Sequence, residues 1–149
     1  HEIAHELSDL DPANEKKYNK NAEKTIIAIN KLIDNVDQTI NKDARFVVFH
    51  DAYQYFEKRF GIFTAGSLTL NPDVLPGAKQ ISDIQNLILT NKINCIFSEP
   101  QFNPKIIETI AKDTNINTGI LDPLGAKIQS DKLLYFTLIN DLSIKLKDC

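Results

Sequence analysis

Short apolar runs alternate with helical patterns along most of the chain after Arg45. Within the runs the apolar residues follow one another directly, whereas between them they recur every three or four positions. The connections are too long for hairpins, so the strands are expected to be parallel. The pattern therefore predicts an α/β fold, a three-layer sandwich with a four-stranded parallel sheet. The predicted strands are Phe46 to Phe49, Ile62 to Leu70, Ile93 to Phe97 and Asn117 to Leu121.

The first 40 residues carry one apolar stripe at helical spacing, which predicts a long helix or a broken pair. Asp11-Pro12 is expected to start the second section, with the aspartate as cap and the proline at the first helical position. Stripe residues such as Ile26, Ile29 and Ile33 should be exposed unless the helix folds back or pairs with a second copy. The remaining predicted helices are Ala52 to Phe60, Ala78 to Thr90, Pro104 to Lys112 and residues 131 to 147, with a loop from Asn71 to Gly77.

The length and net charge of the chain exclude some classes of protein. The 149 residues fit one domain, and the net charge of −3 with evenly spread lysines is unlike the basic patch of a nucleic-acid binder. No apolar run is long enough to span a membrane, and no signal peptide is recognisable. Because the helical pattern is already under way at His1, we expect the chain to be a piece of a longer protein.

Polar residues follow three of the predicted strands directly. His50 ends the first strand, Glu99 follows the third and Asp122 follows the fourth, with Thr69 or Ser67 beside them if the second strand is in register. The carboxyl ends of parallel strands meet at one sheet edge, where ligands bind. An imidazole with one or two carboxylates is a partial ligand set for a divalent transition metal such as Zn²⁺.

Each of these residues also has an ordinary structural interpretation. His50 fits a half-buried histidine at a turn, Glu99 fits a capping or salt-bridging carboxylate, and Asp122 before Pro123 fits a turn aspartate. The set is also one donor short of the four that zinc usually takes.

A second metal pattern lies at the amino terminus, where His1-Glu2-Ile3-Ala4-His5 matches H-E-x-x-H. This motif predicts a zinc peptidase, with two histidine ligands and Glu2 as general base. No third ligand follows at the usual spacing, so exposed histidines that bind metal adventitiously are the simpler interpretation. A nucleophile elbow and a glycine-rich phosphate loop are both absent from the sequence.

Cys95 and Cys149 stand alone, without a C-x-x-C pair. Two buried free thiols and a disulfide from the sheet to the last helix are both compatible with their positions. The disulfide would indicate an oxidising compartment.

Four segments together resemble a known family. The segments are Phe49 to Phe56, Asn71-Pro72 with Pro76-Gly77, Phe97 to Phe102, and Leu121 to Gly125. From about residue 44 to the end, their order and spacing are similar to the carboxyl-terminal half of the ZnuA-type zinc-binding proteins of bacterial ABC uptake transporters, within the cluster A-I solute-binding proteins.

The resemblance implies a protein of two α/β lobes joined by a long helix, with metal held between them. Residues 1–43 would be the linker helix and residues 44–149 the carboxyl-terminal lobe. His50 would be this lobe's zinc ligand, Asp122 would lie at or near the metal, and Cys95 would pair with Cys149. The amino-terminal lobe and its ligands would be missing, which leaves half a site.

The resemblance therefore implies a non-catalytic periplasmic carrier that binds Zn²⁺ and delivers it to a membrane permease. The main alternative is an enzyme, either an H-E-x-x-H peptidase or another α/β hydrolase. A third class is a metal-independent small-molecule or adhesion module, whose melting temperature would not respond to zinc.

Overall fold

The computed structural model describes residues 1–69, 76–147 and 149. It divides into two compact units, His1–Gln38 and Thr39–Cys149, which are described separately. Their boundary lies a few residues before the predicted one at residue 43. The predicted roles of linker helix and carboxyl-terminal lobe stay predictions.

The first unit contains a broken helix pair. Helix α1 (Glu2–Leu10) is followed by a turn of 3-10 helix (Pro12–Asn14) and by α2 (Glu15–Thr39), whose last residue enters the second unit. Asp11 lies between α1 and the 3-10 turn and interrupts the helical conformation with an extended φ of −140°. The prediction that its carboxylate caps the helix backbone is wrong: the carboxylate instead accepts hydrogen bonds from the side chains of Asn14 and Tyr18, at 2.7 and 2.8 Å.

Residues of α1 and α2 line one apolar cleft of about 700 Å³, which includes Leu7, Ala22, Ile26 and Ile29. Ile26, Ile29 and Ile33 are only partly exposed, and the strongly exposed apolar residues of this unit are others: Ile3, Leu10 and Ile27. None of the helices in the described part of the chain has the length and apolar character that a membrane crossing requires.

The second unit contains a four-stranded parallel sheet in the order β2-β1-β3-β4, and this confirms the predicted fold class. The strands are β1 (Phe46–His50), β2 (Gly66–Thr69), β3 (Cys95–Ser98) and β4 (Asn117–Ile120). The helices are α3 (Gln54–Phe60), α4 (Ala78–Asn91), α5 (Lys105–Thr114) and α6 (Leu134–Lys147).

Helices cover the sheet on both faces. On one face, alternate strand residues pack with α4 and α5 into a buried cluster that contains Val47, Phe49, Leu68, Ile96, Ile84, Ile88, Ile107 and Ile110. Cys95 precedes Ile96 and points to the opposite face, where it forms a disulfide with Cys149, just after α6. This arrangement is the predicted three-layer sandwich.

Two strands begin later than predicted for the same reason. The N–H of Ile62 bonds back to the carbonyl of Glu57 after the left-handed Gly61, and the N–H of Ile93 bonds back to Ile88 after the left-handed Lys92. Because these N–H groups are used to terminate the preceding helices, they are not available to the sheet, and each strand begins a few residues later. Leu70 and most of the predicted loop, residues 71–75, lie outside the described residues.

Candidate metal centre

The sheet brings the three predicted site residues to one edge. His50 is the last residue of β1, Glu99 follows β3, and Asp122 comes shortly after β4. Because β1 pairs with β3 and β3 pairs with β4, these positions are neighbours along the carboxyl edge. On the other side of β1, Thr69 is the residue in register with His50, whereas Ser67 pairs with Val48.

His50 and Glu99 face each other across β1 and β3. Nδ1 of His50 lies 3.9 Å from Oε1 of Glu99, and the two side chains are 26% and 5% exposed. Oε1 of Glu99 is buried and has no hydrogen-bond partner in the described part of the chain. A buried carboxylate oxygen without a partner is costly, so this pair is an energetically unfavourable arrangement as it stands.

Tyr53 is a member of the site that the sequence analysis did not single out. Its hydroxyl donates a hydrogen bond of 3.4 Å to the carbonyl oxygen of Leu121, and it also lies close enough to Glu99 to lower the pKa of that carboxyl group. Burial, followed by the Glu99 carboxylate, raises the pKa of Tyr53, so it stays neutral and able to donate. Its position three residues after His50 was the signal available in the sequence.

Burial raises the pKa of Glu99 to about 7, since it disfavours the charged form. The hydrogen bond from Tyr53 acts in the opposite direction, the nearby Asp122 charge raises the pKa further, and the backbone N–H of His50 lowers it. The carboxyl group is therefore able to change charge near neutral pH.

Asp122 organises the turn after β4. Its Oδ1 accepts hydrogen bonds from the N–H groups of Leu124 and Gly125, at 3.1 and 3.0 Å, and from Nε2 of Gln101 at 3.2 Å. Its Oδ2 accepts one from the N–H of Ala126 at 2.6 Å. The turn aspartate predicted from Asp122-Pro123 is thus present, and a ligand role for the same carboxylate stays a prediction.

The cluster does not form a complete metal site. Within residues 1–69, 76–147 and 149, histidine, cysteine, aspartate and glutamate side chains nowhere form a group of three or more that could hold a metal ion. One imidazole with flanking carboxylates fits part of a zinc coordination shell, and the remaining donors would have to come from elsewhere.

The H-E-x-x-H segment lies on α1, away from any third ligand in the described residues. His1 and His5 line an open cleft of about 590 Å³ together with Asp9 and Glu15. Nδ1 of His5 lies 3.8 Å from Oδ1 of Asp9, and both side chains are 68% exposed. The geometry of a peptidase zinc site is therefore not present here.

The two cysteines form a disulfide with a Cα separation of 5.8 Å. Nδ2 of Asn94 donates a hydrogen bond of 3.0 Å to the carbonyl oxygen of Cys149, and this contact also holds the end of the chain against β3. The alternative of two free thiols is excluded, as the resemblance implied.

Comparison with known proteins agrees with this architecture. The ZnuA family, described as the periplasmic component A of a zinc-uptake complex, matches residues 1–149. The chain belongs to the ZnuA family. Membership was expected from the segments around His50, Glu99 and Asp122, and it extends to the leading helices as well.

Individual ZnuA-type proteins are similar over nearly the whole chain. The high-affinity zinc uptake system protein ZnuA of Brucella abortus is 44% identical over 150 residues, which cover 99% of this chain and 45% of that protein. A crystal structure of ZnuA superposes with a TM-score of 0.83 at 23% identity, over 99% of this chain and 55% of that one. The laminin-binding adhesin Lmb of Streptococcus agalactiae gives a TM-score of 0.78 at 30% identity, over 97% and 57%. The chain thus spans about half the length of the relatives it matches.

Proposed function

We propose that this chain is part of a periplasmic, high-affinity zinc-binding component of an ABC uptake transporter. In this role it binds Zn²⁺ as cargo, delivers it to a membrane permease and catalyses no reaction. The observation that carries the proposal is the pair at the sheet edge: a partly exposed imidazole, His50, beside the buried Glu99, in a chain whose whole length matches a zinc-uptake family.

The donor chemistry supports zinc as the ion. Imidazole is a preferred zinc donor, whereas an edge made of carboxylates alone would favour harder ions such as Mn²⁺. We propose His50 as the ligand, with Asp122 and Glu99 as the carboxylates that flank it. The other half of a full-length relative, absent from this chain, would supply the remaining ligands.

Zinc calorimetry on the full-length protein and on this chain tests the proposal. The full-length protein should bind one zinc ion tightly and this chain far more weakly, because a single imidazole is a poor site by itself. His50→Ala should abolish tight binding. His5→Ala is the matched control, since it removes an exposed histidine from α1 and should leave binding unchanged.

Tight binding that survives His50→Ala would exclude His50 as a ligand. An enzyme of the H-E-x-x-H type would instead lose peptidase activity on Glu2→Ala and His5→Ala, variants to which a carrier is indifferent. A metal-independent module would show no change of melting temperature with zinc.

Self-association of this chain through the leading helices is a separate proposal. The exposed apolar side chains of Ile3, Leu10 and Ile27 support it. Light scattering should show a dimer at high concentration, and a strictly monomeric profile would contradict it.

A further inference from the structure

One particular nitrogen of the His50 ring faces Glu99, although two ligands of the same metal ion would not need to face each other. The nitrogen that faces Glu99 is Nδ1, at 3.9 Å from Oε1, which is beyond normal hydrogen-bond range. A neutral imidazole carries its proton on one nitrogen and keeps a lone pair on the other. The neighbour of Nδ1 therefore decides which nitrogen is available to a metal.

Glu99 is fixed and has one unused oxygen. Its side chain is 5% exposed, and the Tyr53 hydroxyl and the backbone N–H of His50 lie close enough to its carboxylate to lower its pKa. Oε1 is left buried and without a partner in the described residues. A hydrogen bond from Nδ1–H of His50 would satisfy this oxygen.

The side chains of His50 and Glu99 also differ in their exposure to solvent. The imidazole is 26% exposed and the carboxylate only 5%, so an incoming ion meets the ring before it could reach the carboxylate. Carboxylates that accept the second N–H of a ligating histidine are a recurrent feature of protein zinc sites, where they fix the ring and strengthen it as a donor.

We infer that Glu99 is a positioning residue that accepts a hydrogen bond from Nδ1–H of His50 and so presents Nε2 to the metal. The two side chains must come closer than 3.9 Å for this bond to form, with or without a metal. This inference rests on the proposed function for the identity of the ion. The proton position on the ring does not depend on it.

The first experiment measures the proton position without any metal. Nitrogen NMR of the ¹⁵N-histidine-labelled protein at a pH where imidazoles are neutral should show His50 with its proton on Nδ1. Glu99→Ala should shift the ring toward the Nε2–H form, and Glu99→Gln should restore much of the Nδ1–H form, because the amide oxygen still accepts. A wild-type ring protonated on Nε2 would overturn the inference.

The chain contains a matched control for burial. Nδ1 of His5 lies at a similar distance, 3.8 Å, from a carboxylate oxygen of Asp9, but both of these side chains are 68% exposed. Water competes for both groups there, so Asp9→Ala should leave the His5 proton distribution unchanged. An equal shift at His5 would contradict the argument that the buried, unpartnered oxygen is what orients His50.

The second experiment measures zinc affinity in the full-length protein. Glu99→Ala should weaken binding by about 10- to 100-fold, the usual effect of removing such a partner, and Glu99→Gln should weaken it less. If Glu99 were a direct ligand, Gln and Ala would be equally damaging and the proton on His50 would not move in either. If the wild type bound no zinc while the Nδ1–H form persisted, the proposed function would fail and the orientation by Glu99 would stand.

Discussion

Gly119 leaves the space that the ring of Phe97 fills. A Cβ built on Gly119 would lie 2.5 Å from Cε1 and 2.7 Å from Cδ1 of that ring, closer than packed carbon atoms can approach. The two residues are paired in register across β3 and β4, and Phe97 is buried, so the ring has little freedom to move. A glycine is thus required at this position of β4, close to the carboxyl edge of the sheet that carries the site.

Gly119→Ala should therefore destabilise the protein by about 1 to 3 kcal/mol, the usual cost of overpacking a core. Urea denaturation monitored by circular dichroism measures it. Gly77→Ala is the control, because its Cβ would meet nothing closer than 3.8 Å and its φ of −75° suits any residue. Equal losses in the two variants would show that the clash with Phe97 is relieved at no cost.

The disulfide should contribute substantially to stability. Cys95 and Cys149 are 54 positions apart, and in the chain-entropy model closure of such a loop is worth about 4 kcal/mol. The double variant Cys95→Ala/Cys149→Ala should lower the free energy of unfolding by about that amount. Dithiothreitol should lower the stability of the wild type similarly and leave the double variant unchanged. A further loss in the reduced double variant would point to an effect other than this bond.

Glu99 should make metal-free stability depend on pH. Its pKa is about 7 in the folded protein against an ordinary value of 4.5, so the folded state binds the proton more tightly than the unfolded state. Stability therefore falls as pH rises from about 4.5 to 7 and stays reduced above that, by on the order of 3 kcal/mol. Denaturation of the zinc-free chain at a series of pH values measures the slope.

Glu99→Gln should flatten this part of the pH profile, because a neutral amide has no charge to bury. The exposed Glu23→Gln is the control and should retain the wild-type slope. A Glu99→Gln profile parallel to that of the wild type would assign the pH dependence to other groups.

The sheet was predictable because its strands are nearly continuous apolar runs whose ends are marked by polar residues. Phe46 to His50 shows this best, since four buried residues are followed directly by a partly exposed histidine. The strand starts were less predictable, because Ile62 and Ile93 are apolar like strand residues but are used to terminate helices. Local periodicity does not distinguish these two uses of an isoleucine.

The site was predictable in its membership and less so in its contacts. Parallel topology alone places His50, Glu99 and Asp122 along one edge. The role of Tyr53 was indicated only by its position three residues after His50, and that of Gln101 depends on a side-chain direction that no spacing in the sequence encodes. The same is true of the choice of Nδ1 as the nitrogen that faces Glu99.

Asp122 should have a structural effect that can be separated from any effect on zinc. Asp122→Ala removes acceptors for three backbone N–H groups, those of Leu124, Gly125 and Ala126, and should cost roughly 2 kcal/mol of metal-free stability. Asp122→Asn keeps one oxygen acceptor and should cost less. Urea denaturation without zinc measures both variants.

Asp131→Ala is the matched control, because Asp131 also caps a turn, through the N–H of Leu133 at 2.7 Å, but lies just before α6 and not directly after a strand. Both alanine variants should reduce stability, but only Asp122→Ala should also weaken zinc binding by the full-length protein, measured at a temperature where every variant is folded. If Asp122→Ala and Asp131→Ala bind zinc equally well, the role of Asp122 is confined to the turn.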